Sequence, residues 1–166
     1  MRKLIKGRVH RVGHHTGVHD VYPDLYLSSG DPDEIAAHAL EGDDTKLSSK
    51  SNNGDIIVAG RNFGIGQREE QAVLALKQAG VACVAANSFG RVFYRAAINS
   101  GIPLVEHPEA YEKIKNGETV EIDLEAGEIH CKKGPLKFDP LPDFMMRMLD
   151  AGGLIKYTRE TITNRQ

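Results

Sequence analysis

"GDIIVAGRNFGIGQREEQAVLALKQAG", residues Gly54 to Gly80, is the stretch on which the fold turns. "DIIVAG" is a continuous apolar run of the kind found in a parallel strand buried on both faces. The apolar residues at 72, 73, 75, 76 and 79 then form a helical stripe, which predicts a helix over Gln67 to Gln78, closed by Gly80. Between strand and helix, Gly64 and Gly66 sit where a tight entry into a helix favours residues without Cβ. A strand–turn–helix of this kind aims main-chain N–H groups at an anion. Yet the turn has no Lys, Ser or Thr; its polar residues are Gln67, Arg68, Glu69 and Glu70. The spacing Gly60-x-x-x-Gly64-x-Gly66, with no following Lys-Ser/Thr, argues against a nucleotide-binding loop.

Upstream, "KLIKGRVHRV" alternates as a strand over Lys3 to Val12. Gly13 to Leu27 lacks periodicity and reads as a loop, with Pro23 barring a regular helix. "DPDEIAAHALEG" reads as a helix capped by Asp31, with Pro32 at its first position and Gly42 at its end. Residues 43–54 form a polar, turn-rich connection. Downstream come a buried strand in "VACVAAN", a helix in "SFGRVFYRAAINSG" with Ser88 as its cap, a short strand in "IPLVE", and a short helix in "HPEAYEKIKNG". A hairpin is expected around Glu125-Ala126-Gly127, and a last helix in "DPLPDFMMRMLDAGGLIKY", with Pro142 early and Gly152-Gly153 ending it. The order predicts one mixed α/β domain over residues 1–157, with a small parallel core sheet, crossover helices and an antiparallel hairpin. Residues 158–166 read as a polar tail.

A chain of 166 residues, 40% hydrophobic, is long enough for one sizeable core. A net charge of −2 gives no electrostatic case for nucleic acid. No apolar run approaches the roughly 20 residues that cross a bilayer, so no membrane is expected. "MRKLIKGRVH" lacks the apolar core of a signal peptide, and a cytoplasmic location follows by default. Cys83 and Cys131 are expected free in that compartment. Two thiolates fall short of what an iron–sulfur cluster takes, so any cluster belongs to another chain.

Asn62-Phe63-Gly64-x-Gly66, Ser88-Phe89-x-Arg91-x-Phe93-Tyr94-Arg95 and Ala97-Ile98-Asn99-x-Gly101-x-Pro103-Leu104, with "GGLIKY" near the end, resemble the small subunit of 3-isopropylmalate dehydratase. That family is the swivel domain of the aconitase superfamily, and the resemblance runs from Lys3 to Tyr157. It implies an α/β swivel-type fold. It also implies a hydro-lyase that reversibly dehydrates a hydroxy-di- or tricarboxylic acid, as in leucine biosynthesis or in homoaconitase and dimethylmalate dehydratase relatives. The implied partner is a large subunit carrying a 4Fe–4S cluster, in a heterodimer or heterotetramer, with no cofactor on this chain. In the family this subunit closes over the cluster, binds substrate and supplies a proton-abstracting serine from the glycine turn.

Here the turn departs from the family's Asn-Phe-Gly-Cys-Gly-Ser-Ser-Arg-Glu-His-Ala. Gln67 stands at the serine, Arg68 at the next serine, and Glu69 at a carboxylate-binding arginine. An amide is no general base, and a guanidinium stays protonated. Two readings of Glu69 and Glu70 stand: a replacement base, or acidic residues that simply suit the helix dipole. Gly64, Gly66, Gln67 and Arg68 are expected to bind substrate, the amides and guanidinium gripping a carboxylate.

In the loop where the family carries an acidic run, His14, His15 and His19 appear, with Asp20. His19 and Asp20 are candidate ligand-lining residues, as are Ser28 and Ser29 in the substrate-facing stretch that follows. A metal site on His10, His14, His15 and His19 matches no standard spacing, and none is expected. Arg91 and Arg95, one turn apart, have a partner, a carboxylate or solvent as alternatives. Against the enzyme stands a non-catalytic paralogue, keeping fold and interface as a regulatory or binding module.

Overall fold

A computed structural model describes residues 4–42 and 54–165 of the chain. Its centre is a seven-stranded mixed sheet in the order β4-β3-β2-β1-β5-β6-β7. The strands are β1 (Leu4–Arg11), β2 (Ile56–Ala59), β3 (Cys83–Ala86), β4 (Leu104–Glu106), β5 (Thr119–Asp123), β6 (Glu128–Cys131) and β7 (Gly134–Lys137). The first four are mutually parallel and the last three antiparallel, so β1 joins two sheets of opposite character. It changes partner midway: Leu4–Arg8 pair with Asp123–Thr119, and Val9–Arg11 with Ile56–Val58.

The apolar runs have a direct cause in this layering. Every residue of β2 and β3 is buried, because both faces are covered. Ile57, Ala59, Val84 and Ala86 point into one core with helices α3 (Glu69–Gln78), α4 (Arg91–Asn99) and α6 (Asp143–Asp150). Ile56, Val58, Cys83 and Ala85 point the other way, into a core shared with α5 (Ala110–Lys113) and the antiparallel strands. The period of two thus splits one hydrophobic stretch between two cores.

Several expectations are corrected. The presumed loop holds a short helix α1 (Val18–Val21) and a 3-10 turn (Asp24–Tyr26); Val18 and Val21 bury into the first core. Helix α2 (Pro32–Ala37) is capped by Asp31, whose Oδ1 accepts the Asp33 N–H at 3.1 Å, but it stops short of Gly42. His38 closes it, and Leu40 turns left-handed (φ 57°) to bury its side chain fully. Helix α3 begins at Glu69 rather than Gln67. Gly90, not Ser88, is the N-cap of α4. The hairpin gains a third strand, β7, whose pairing with β6 no local pattern announced. The last helix is two: α6 ends at a corner made by Gly152 and Gly153, and α7 (Leu154–Thr163) runs through the expected tail. The polar connection at 43–53 lies outside the described residues.

Candidate functional site: the glycine turn and its supports

The chain leaves β2 at Ala59 and reaches α3 at Glu69 through a turn fixed from three sides. From the N-terminal segment, Gly60 N–H donates to Gly13 O (3.1 Å), Gly64 N–H to Thr16 O (2.8 Å) and Val18 N–H to Ile65 O (2.9 Å). From the β3–α4 junction, Ser88 Oγ accepts the Asn62 N–H at 2.9 Å, Ser88 O accepts the Phe63 N–H at 3.1 Å, and Gly90 N–H donates to Phe63 O at 2.9 Å. From beneath, Phe63, fully buried, meets Phe93 edge-to-face at 5.2 Å and Phe89 at 6.2 Å. This aromatic floor is why Gly64 must be glycine: its φ is +84°, and a Cβ there would lie 2.2 Å from Phe93 Cγ. Gly66 (φ +124°) likewise faces Val18, whose Cγ2 would be 2.7 Å from a Cβ.

Gly66, Gln67 and Arg68 are exposed, and their amide N–H groups find no acceptor among the described residues. Arg68 is the residue before α3, in the left-handed conformation (φ 65°, ψ 45°), with no side-chain cap bond. Glu69 and Glu70 occupy the first turn of α3, where the dipole favours acidic groups; Glu69 is half-buried and Glu70 exposed. Arg68, Glu69 and Glu70 border a groove of about 250 Å³ whose other wall is α4, with Arg95 and Asn99. Arg95 also borders a larger cleft of about 760 Å³ beside β4, with Arg91, Tyr94 and Glu106. There burial and the Glu106 carboxylate push the Tyr94 phenol above its ordinary pKa.

The other candidates lie apart from this groove. His19 is exposed on α1, with Nδ1 3.1 Å from Asp24 Oδ1. Asp20 closes its own helix, Oδ2 accepting the Gly17 N–H at 2.9 Å. Ser29 Oγ donates to Glu34 Oε2 at 2.8 Å, and Ser28 is exposed. None of the four lines the groove at Arg68, although α1 itself packs on the turn through Val18. Ser88 serves as a brace for the turn rather than a helix cap.

His14 and His15 also support the turn, contacting residues 61 and 62 across a gap of 47 positions. No local pattern could reveal that pairing. Among the described residues, no three His, Cys, Asp or Glu converge as a metal ion would require. Both cysteines are free; Cys83 is fully buried, and burial pushes its thiol up to about 12, while Cys131 Sγ donates to Gly134 O at 3.1 Å.

The mixed α/β domain with this sheet order is of the aconitase swivel type. The Aconitase C-terminal domain family matches residues 30–110. Over 158 residues the chain is 45% identical to 3-isopropylmalate dehydratase small subunit 1 of Methanopyrus kandleri, covering 94% of this chain and 93% of that one. It is 44% identical to the isopropylmalate/citramalate isomerase small subunit of Methanocaldococcus jannaschii over the whole of both chains. It is also 44% identical to the 2,3-dimethylmalate dehydratase small subunit of Eubacterium barkeri, over 94% of this chain and 97% of that one. The crystal structure of 3-isopropylmalate dehydratase from M. jannaschii superimposes with a TM-score of 0.89 at 39% identity, over 98% of each chain. The chain belongs to the aconitase C-terminal domain family, among the small subunits of the 3-isopropylmalate dehydratase group.

Proposed function

We propose that this chain is the small subunit of a two-subunit hydro-lyase that dehydrates and rehydrates a hydroxy-dicarboxylic acid, of the alkyl-substituted malate class. The observation that carries the reading is the full-length similarity to small subunits named for isopropylmalate, citramalate and dimethylmalate chemistry. A homoaconitase-like tricarboxylate substrate is the nearest variant. The residues of this chain do not fit a 4Fe–4S cluster, which needs three or four converging thiolates where Cys83 and Cys131 lie far apart in sequence, one in the core and one on β6. The cluster is therefore assigned to the large subunit, in a cytoplasmic heteromer.

On this chain, the free N–H groups of Gly66, Gln67 and Arg68 and the Arg68 guanidinium hold one substrate carboxylate. Charge-assisted bonds to fixed amides are strong because no donor has to be reoriented on binding. Gln67 stands where the family resemblance places a serine, and its amide cannot take a proton. The proton from the carbon beside the substrate carboxylate passes instead to Glu69 or Glu70, the carboxylates bordering the same groove. Closure of this subunit against the large one supplies the dry surroundings that such a base requires.

The test is co-expression with a cluster-bearing large subunit and anaerobic assay against 3-isopropylmalate, citramalate, 2,3-dimethylmalate, homocitrate and citrate. Turnover of an alkylmalate supports the proposal. No turnover of any acid by a complex with a full cluster overturns it and leaves the non-catalytic paralogue, which the loss of the serine at Gln67 favours. Equal rates in Glu69→Gln, Glu70→Gln and the parent would remove both carboxylates as base.

A further inference from the structure

His14 and His15 meet the turn by an arrangement that the proposed chemistry leaves unexplained. Arg61 N–H donates to His14 Nδ1 at 2.9 Å. His15 N–H donates to Arg61 O at 2.7 Å, and the Asn62 side-chain amide lies with Nδ2 3.1 Å from His15 Nδ1. The His14 ring therefore accepts at Nδ1, which bears no proton, and its neutral form carries the proton on Nε2. His14 is fitted closely: a Cβ on Gly60 would lie 2.2 Å from its Nδ1, and its ring packs on Tyr111 with centroids 4.5 Å apart. The backbone facing it is held in rare conformations, since His15 (φ 55°) and Asn62 (φ 57°) are both left-handed without being glycine. His and Asn adopt this conformation more readily than most non-glycine residues, so the turn is held here at little strain.

We propose that His14 is a positioning residue that clamps the entry to the glycine turn, and that the clamp holds only while its Nδ1 is unprotonated. A proton added to His14 Nδ1 turns an acceptor into a donor and sets it against the Arg61 N–H, leaving that bond unmade. Arg11, from β1, stacks its guanidinium 3.8 Å over the Tyr111 ring that His14 packs against, and Arg61 adjoins the clamp in sequence. On α5, the Glu112 carboxylate accepts from Asn87 Nδ2 at 3.1 and 3.3 Å. The clamp is closed while Nδ1 is free and opens once Nδ1 takes a proton. The relevance to catalysis rests on the proposed function, but the clamp itself does not.

The test uses the full chain without a partner, so that its outcome is separate from that of any activity assay. Nitrogen-15 spectra of the imidazoles report the tautomers, and amide hydrogen exchange at Arg61, corrected for intrinsic exchange, reports the bond. In its neutral form the His14 ring should show Nε2–H. Protection of Arg61 should fall about five- to tenfold in the state whose spectra show His14 doubly protonated, the weight of one lost hydrogen bond. His14→Asn places an oxygen near the Nδ1 position and should keep protection flat over the same titration. His14→Gln, whose oxygen reaches the Nε2 position instead, should lack protection throughout while staying folded by circular dichroism. An Nδ1–H tautomer of the neutral His14 ring, protection unchanged over that titration in the native chain, or a Gln variant as protected as the parent would overturn the proposal.

Discussion

Gly64→Ala tests the claim that the turn rests on a rigid aromatic floor. Two costs add at this position. The left-handed φ of +84° costs an alanine roughly 1–2 kcal/mol. The new Cβ would lie 2.2 Å from Phe93 Cγ and 2.7 Å from Phe93 Cβ, atoms close to the backbone of a fully buried ring. Phe93 cannot swing aside without disturbing Phe63 and Phe89, and overpacking of this kind costs about 1–3 kcal/mol. The expected loss is about 2–5 kcal/mol, a large part of the roughly 5–15 kcal/mol that holds a typical domain. Two control substitutions separate the costs. Gly117→Ala has φ +85° but no atom within 4 Å of the new methyl, so it should lose only the strain. Gly13→Ala has open space and no left-handed φ, and should change stability by less than about 0.5 kcal/mol. Urea unfolding of the three variants, followed by far-ultraviolet circular dichroism, gives the ranking. If Gly64→Ala and Gly117→Ala were equally stable, the Phe93 ring would be free to move and the reasoning about the floor would be wrong.

Further outcomes are expected. With its thiol pushed up to about 12, Cys83 should resist a thiol reagent at pH 8 in the folded chain, so that one equivalent reacts natively and two in guanidinium. The same shift has a stability consequence: above the ordinary thiol value of 9.0 the unfolded chain releases a proton that the folded chain retains. Stability should therefore fall as pH rises through that value, by up to about 1.4 kcal/mol per unit for this group, a trend that denaturation midpoints at pH 8 to 11 would show. The raised phenols of Tyr22 and Tyr94 act in the same direction. Asp55→Ala removes the partner of buried His10, whose Nε2 lies 2.6 Å from Asp55 Oδ2, and should cost about 1–3 kcal/mol in the same urea assay. In the assembled enzyme, Arg68→Ala should raise KM for the hydroxy acid about ten- to a hundredfold with little loss of fold; an unchanged KM would remove Arg68 from the carboxylate site.

The frame from Gly54 to Gly80 was legible because strand, turn and helix each carry their own local pattern there. The limits of legibility are equally physical. β7 is a four-residue strand containing Pro135, and it exists only because β6 offers it an edge. α7 was hidden by Gly152 and Gly153, which stop one helix and, with φ of +90° and +125°, start the next. Of the candidate site, Arg68, Glu69 and Glu70 border one groove, since one helix end carries all three. Asp20 and Ser29 form bonds within their own segments, at Gly17 and Glu34. The adjacent histidines, read against a metal-ligand pattern, pair instead with the backbone and side chain of residues 61 and 62, and sequence spacing carries no trace of that.

The sheet ends in β4, three residues long and entered directly from Pro103, and in β7, four residues long with Pro135 inside it. Short margins interrupted by proline make poor templates for a stray strand, because too few consecutive N–H and C=O groups line up to recruit one. Copies of this chain released before their companion polypeptide is at hand are thereby shielded from stacking edge to edge into aggregates.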